Sequence, residues 1–293
     1  MSVNDELGIR MKTFYEQVPK TRLVRRMPVA IRIDGKAFHT FTRGFEKPFD
    51  EVLGRTMRET MKYLCENIQG CVLGYTQSDE ITLILIDYKK LTSSAWFDYE
   101  VQKMCSIAAS MATMAFNKFF IKEVKEWFSN QKPFTTETIR LYNLYRLKSE
   151  TGAMFDARVF NIPKEEVANL IYWRQIDATR NSIQMVGQAN FSHKELQDKS
   201  CNKIQDMLFQ EKGINWNDYP IYLKRGSCCV KDNTDITFAR SYGEEVETGS
   251  IQRPHWVIDL GIPIFKGADR EYINERILYD GEKNNYPKMI YVN

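Results

Sequence analysis

The chain of 293 residues has three histidines, six cysteines and no long apolar run. Its most apolar continuous stretch, Ile81 to Ile86, is six residues long and contains Thr82, far short of the roughly 18 that a transmembrane helix needs. No membrane span is expected. The N-terminus opens Ser2-Val3-Asn4-Asp5-Glu6, without a basic start and an apolar core behind it, so no secretory signal is read and a cytoplasmic location is the expectation. The cysteines, at 65, 71, 105, 201, 228 and 229, form no C-x-x-C and are too few for a disulfide scaffold, so reduced thiols are expected. His39, His193 and His255 are dispersed, with no cysteine at ligand spacing, which argues against zinc and leaves carboxylates to carry any metal chemistry. The absence of G-x-x-x-x-G-K-[ST] and of G-x-G-x-x-G argues against the commonest NTPase and dinucleotide-binding folds.

What is present is the composition of a folded protein, 43% hydrophobic and 27% charged, with length for one large domain or two small ones. The net charge is +3, but residues 1–58 hold twelve Lys/Arg against seven Asp/Glu, so the basic excess is N-terminal. Such an excess is either a solvated face or a footprint for polyphosphate or nucleic acid.

Leu7, Ile9, Met11, Phe14, Tyr15 and Val18 follow helical spacing, and Pro19 stops the pattern. Pro28 to Gly35 reads as a strand that delivers Asp34 to a turn. Leu53, Met57, Met61, Leu64 and Ile68 form the inward stripe of a helix. Cys71–Tyr75 and Ile81–Ile86 read as a hairpin whose tip presents Ser78, Asp79 and Glu80. Trp96 to Trp127 is a long helical pattern, whereas residues 129–152 lose periodicity and are expected to be an exposed insertion. A strand at Phe155–Pro163 and a helix from Lys164 to about Ala189 follow. A helix near His193–Lys212 and strand-like segments at Pro220–Cys229 and His255–Asp259 complete the reading. The order β-α-β-β-α-β-α predicts an α+β fold, a ferredoxin-like antiparallel sheet with helices on one face.

In such a sheet the first strand and the hairpin lie side by side, so Asp34 and Asp79 converge at one edge. Two aspartates beside a glycine whose bare backbone carbonyl approaches closely make a hard oxygen site suited to Mg²⁺. Paired magnesium ions are the usual means of activating a hydroxyl and stabilising a leaving oxygen in phosphoryl and nucleotidyl transfer.

Ile31-Arg32-Ile33-Asp34-Gly35-Lys36-Ala37-Phe38-His39, Lys47-Pro48-Phe49-Asp50 and Gly74-Tyr75-Thr76-Gln77-Ser78-Asp79-Glu80 resemble the signature blocks of the tRNA-histidine guanylyltransferase superfamily. These enzymes are polymerases that extend RNA in the 3′-to-5′ direction. Phe155-Asp156-Ala157-Arg158 and Trp173-Arg174-Gln175, with Asp177 and Asn181, match later blocks in the same order. The resemblance covers roughly residues 5–230. It implies a polymerase-like palm over 1–230 with a C-terminal extension over 231–293, and a homotetramer. It further implies that Asp34, the Gly35 carbonyl and Asp79 hold two Mg²⁺ ions, with Glu80 supporting them among the catalytic carboxylates. Gly35, Lys36, Ala37, Phe38 and His39 would cradle a triphosphate reached by Lys47, Ser78 and Lys103, with Asp50 near the base. Arg158, Arg174 and Asn181 would face RNA. The implied substrates are ATP, GTP and other nucleoside triphosphates together with tRNA.

One departure bears on the activity. Members dedicated to adding a single guanosine to tRNA-histidine carry His-Ile-Asn-Asn where this chain reads Thr179-Arg180-Asn181-Ser182. The chain therefore resembles the branch that repairs 5′-truncated tRNA by template-directed addition, with the dedicated guanylyltransferase as the alternative. More distant alternatives are a palm-fold nucleotidyl cyclase, whose turn reads Gly-Gly-Asp-Glu-Phe, and a non-catalytic RNA-binding module, which would show stacking aromatics on its strands.

Overall fold

The computed structural model describes residues 6–242 and 245–278. After a short helix, α1 (Glu6–Met11), come β1 (Val29–Gly35), α2 (Phe38–Phe41), α3 (Glu51–Asn67), β2 (Cys71–Gln77) and β3 (Glu80–Leu85). They are followed by α4 (Val101–Asn130), α5 (Thr136–Thr151), β4 (Phe155–Asn161), α6 (Lys164–Asn190), α7 (His193–Leu196), α8 (Cys201–Lys212) and α9 (Ile221–Arg225). Last come β5 (Ser227–Tyr242), β6 (Glu245–Asp259) and α10 (Glu271–Ile277). The strands form one antiparallel sheet in the order β4-β1-β3-β2-β5-β6. Its first four members are the expected ferredoxin-like core, and the fold is α+β.

Both faces of the central strands are covered. Every residue of β3 is buried, as a continuous apolar run requires and an alternating one would not. On one face Ile31, Ile33 and Leu83 pack against Met57, Met61 and Leu64 of α3 and Met104, Ala108 and Phe116 of α4. On the other, Ala30, Leu73 and Ile84 pack against Val167, Ala168 and Ile171 of α6 and Ile273 and Ile277 of α10. The two core helices α3 and α4 thus lie on one face as expected, and the later helices α6 and α10 cover the other. A third cluster joins Ile183 and Val186 of α6 to Ile204 and Leu208 of α8 and to Trp216.

The segment 129–152 is not an exposed insertion. It holds α5, whose Leu141 and Tyr145 are buried in the first core. No boundary falls at 230, because β5 runs through that position and Ile262, Phe265, Ile273 and Ile277 complete the second core. The stretch Pro220–Cys229 is split between α9 and the start of β5. By length and composition α4 is apolar enough to cross a membrane, contrary to the run-length reading. One stripe of it, including Met104, Ala108, Ala112, Phe116 and Phe120, is built into the core.

Candidate active site at the end of β1 and β3

The register sets Asp34, the penultimate residue of β1, opposite Glu80 on β3 and opposite Asp156 on β4. The Gly35 N–H donates to the Asp79 carbonyl at 3.1 Å, which ties the end of β1 to the hairpin tip. Gly35 has no substitute here, because a Cβ would lie 2.1 Å from the Phe38 ring. That ring is held by Phe41, Phe116 and Phe155, with centroids 5.2 to 5.5 Å away. The aromatic cluster draws the chain back sharply after β1, Ala37 takes a left-handed conformation (φ 54°), and α2 starts at once. The opening N–H groups of such a helix have no intrahelical acceptor, which suits the cradle expected from Gly35 to His39. Lys36, Ala37 and His39 are exposed there, while the Phe38 side chain belongs to the core.

Gln77 pairs with Glu80, so the turn consists of Ser78 and Asp79 alone. Ser78 adopts φ 51°, the left-handed geometry that tight hairpins demand, and its hydroxyl donates to Asp79 Oδ1 at 3.1 Å. Glu80 is not on the tip as expected but is 7% exposed, the first residue of β3. Arg32 donates to its carboxylate through Nε at 3.2 Å and Nη2 at 3.0 Å, and Arg174 through Nη2 at 2.8 Å, with the Arg174 Nε at ion-pair distance, 2.7 Å. These bonds fix the first residue of β3, directly after Asp79.

Burial raises the pKa of Asp34 above the ordinary aspartate value, and the charges of Glu80 and Asp156 raise it further, against Arg158 and Arg32. Asp79 is likewise raised, first by burial and then by Asp34 and Glu80, against hydrogen bonds from its own backbone and Ser78. The charge of Asp34 thus acts unfavourably on that of Asp79. Arg158 stands 3.9 Å from Asp34 and 3.4 Å from Asp156, on the outer side. Among the described residues no group of three or more His, Cys, Asp or Glu side chains is arranged to hold a metal. A cation at this edge would use the two carboxylates and the Gly35 carbonyl, with water or phosphate completing its shell. Two hard-oxygen carboxylates whose charges repel, beside a backbone carbonyl, fit a divalent ion of that kind.

A cavity of about 120 Å³ opens beside the hairpin, and Asp50, Ser78 and Asn181 are all in its wall. It is smaller than the roughly 300 Å³ of a whole-ligand pocket, so it has room for only part of a ligand of nucleotide size. Asp50 is committed structurally, its Oδ1 capping α3 through the Leu53 N–H at 2.9 Å and its Oδ2 accepting from the Glu46 N–H and the Tyr145 hydroxyl. Burial raises its pKa and these hydrogen bonds oppose the rise. Lys47 is exposed on the loop before it.

Two expected residues are not brought in. Arg174 is 5% exposed and bound to Glu80 and Asp177, so it is no RNA contact. Lys103 sits over the Phe97 ring at 4.7 Å. It is ten residues before Thr113, which meets Phe155 at the Gly35 end of β4, so Lys103 is about 15 Å along α4 toward the opposite end of the sheet. Three residues were missed: Arg32, Tyr145 and Asp156. Arg32 and Asp156 had a signal, because strand alternation places Arg32 on the Asp34 face and antiparallel pairing sets Asp156 opposite; Tyr145 had none, lying in a stretch without periodicity.

The family described as tRNAHis guanylyltransferase matches residues 9–163. A structure of a bacterial tRNA(His) guanylyltransferase-like protein in complex with ATP is 40% identical, with a TM-score of 0.74 and coverage of 93% of this chain and 99% of that one. A second, in complex with GTP, is 38% identical with a TM-score of 0.66, covering 94% and 100%. The tRNA(His) guanylyltransferase of Saccharomyces cerevisiae is 26% identical over 217 residues, 69% of this chain and 82% of that protein. Since the family match spans more than half of the residues and the signature carboxylates occupy one sheet edge, the chain belongs to the tRNAHis guanylyltransferase family of nucleotidyltransferases.

Proposed function

We propose that this chain extends the 5′ end of tRNA under the direction of the opposite strand, repairing truncated ends. The observation that carries this reading is the Asp34–Asp79 edge beside a cavity walled by Asp50, Ser78 and Asn181. In the reaction a 5′-monophosphate attacks the α-phosphate of ATP, giving 5′-adenylylated RNA and pyrophosphate. The 3′-hydroxyl of an incoming nucleoside triphosphate then attacks the activated 5′-phosphate and AMP leaves. Magnesium held by Asp34, the Gly35 carbonyl and Asp79 would supply hydroxyl activation and charge neutralisation at the phosphates. Ser78 orients Asp79, and Arg32 and Arg174 fix Glu80 behind it. The Gly35–His39 turn and the exposed Lys36 and Lys47 bind the triphosphate, Arg158 faces the RNA backbone, and four copies of the chain assemble.

Templated addition is supported by the segment 179–182. The Thr179 hydroxyl donates to the Gln175 carbonyl at 3.0 Å, and the Ser182 hydroxyl accepts from Trp216 Nε1 at 3.0 Å. Both are spent inside the protein, so within 179–182 only Asn181 is left to meet a base in the cavity, one amide where the pattern of the dedicated members has two. The test offers tRNAs lacking the first nucleotide, with each of the four bases opposite the gap, and sequences the added residue. The complement of each base is expected. Guanosine added whatever lies opposite would replace this reading with that of a dedicated tRNA-histidine guanylyltransferase.

A further inference from the structure

Trp173 of α6 is 51% exposed, whereas Trp96, Trp216 and Trp256 are buried. Two guanidiniums pack on its indole, Arg174 at 4.4 Å and Arg32 at 5.3 Å from the centroid. The same two grip Glu80, so the orientation of the ring is fixed by the carboxylate adjacent to Asp79. With half of the side chain exposed, the indole still presents ring surface to solvent. Across the β1–β4 ladder Arg32 pairs with Arg158, whose guanidinium is 3.9 Å from Asp34. The exposed ring is thus rigid, flanked by cations and one strand pair from the carboxylate edge.

We propose that the exposed ring surface of Trp173 is the platform on which the terminal base at the 5′ end of the RNA stacks, with Arg158 on its phosphate. Base–aromatic stacking needs a ring of this kind, held in place and bordered by positive charge. The RNA, not the incoming nucleotide, is the occupant because the cavity of Asp50, Ser78 and Asn181 lies on the β2 side of Asp79 and does not include Trp173 in its wall. The platform lies on the β1–β4 side, so the carboxylates separate the two places, as joining two reactants requires. The inference rests on the RNA-end reading above.

The probe is a 5′-monophosphorylated tRNA transcript, shortened by one nucleotide and carrying 2-aminopurine as its first base. With the wild-type chain, fluorescence of the probe is quenched on binding by stacking. Trp173→Ala is expected to abolish the quench, weaken RNA binding about tenfold and raise KM for RNA with little change in kcat, while ATP affinity is unchanged. Trp173→Phe is expected to restore most of the quench. Melting temperatures establish that both variants are folded. Wild-type binding and elongation without quenching, or equal quenching by Trp173→Ala, would overturn the platform and leave the RNA-end reading standing. Equal losses of ATP and RNA affinity would assign the ring to the nucleotide and overturn the proposal. A wild-type chain that neither binds nor extends the transcript would overturn the RNA-end reading itself, and the platform with it.

Discussion

Asp34 and Asp79 ionise less readily than ordinary aspartates because burial and repulsion by neighbouring carboxylates oppose their charge, so the site is held at a cost to stability. A carboxyl raised above its unfolded value of 3.8 binds more protons folded than unfolded. Its contribution is therefore fully present below that pH and is lost as pH rises through the raised value. Asp34→Asn and Asp79→Asn remove the charge at constant shape. Both are expected to reduce nucleotide addition more than about 100-fold while leaving the melting temperature equal or higher, with a flatter decline as pH rises above 4. Added magnesium should raise the melting temperature of the wild type and not of either variant, since only a folded site binds it. Calorimetric melts with EDTA and with magnesium, run beside the addition assay, check both parts. Normal turnover by either folded variant would remove these carboxylates from the mechanism.

At the scale of elements, the start of α3 is fixed by a single residue. Asp50 caps it, and Tyr145 from α5 donates to the same carboxylate at 2.6 Å, so a helix before the hairpin is tied to one well after it. Asp50→Ala should cost about 1–2 kcal/mol through the lost cap. Tyr145→Phe should cost about 1 kcal/mol through the lost hydrogen bond and leave nucleotide affinity unaltered. Urea unfolding measures the first, and titration with ATP the second. Loss of ATP affinity without loss of stability in Asp50→Ala would assign Asp50 to the base instead of the fold. The α3 stripe was legible because it repeats every three or four residues. In contrast α5 was not, since its packing rests on Leu141 and Tyr145 amid threonines and charges. The edge carboxylates were legible because a strand that ends in Asp-Gly must present them. The inward turn of Glu80 was not, because it depends on a two-residue turn that pairs Gln77 with Glu80, and a shift of one residue reverses every side chain. The displacement of Lys103 follows from the direction of α4 across β4, a tertiary fact that no local pattern carries.

Across the whole molecule, the charge that the sequence concentrates at the N-terminus is partly spent in folding. Arg22 pairs with Asp98 at 2.8 Å, and Arg25 with Asp87 at 2.6 Å and Asp98 at 3.1 Å. One chain therefore offers a tRNA a smaller positive surface than its composition suggests, which favours the proposal that several chains contribute to one RNA. The α1 region is suited to joining them: Leu7, Ile9, Phe14, Tyr15 and Val18 are each more than half exposed, and α1 buries none of its residues. Leu7→Asp combined with Phe14→Asp is expected to give smaller particles by light scattering coupled to gel filtration, with the melting profile of the single fold preserved. Because each phosphate contact releases counterions, the logarithm of affinity falls linearly with the logarithm of salt in proportion to the number of contacts. The wild type should show a steep slope for tRNA, and the double variant a weaker affinity with a shallower slope, since fewer subunits then touch each RNA. A wild type that is monomeric yet binds tRNA with the same slope as the variant would show that one chain carries the whole electrostatic footprint, and the assembly proposed here would fail.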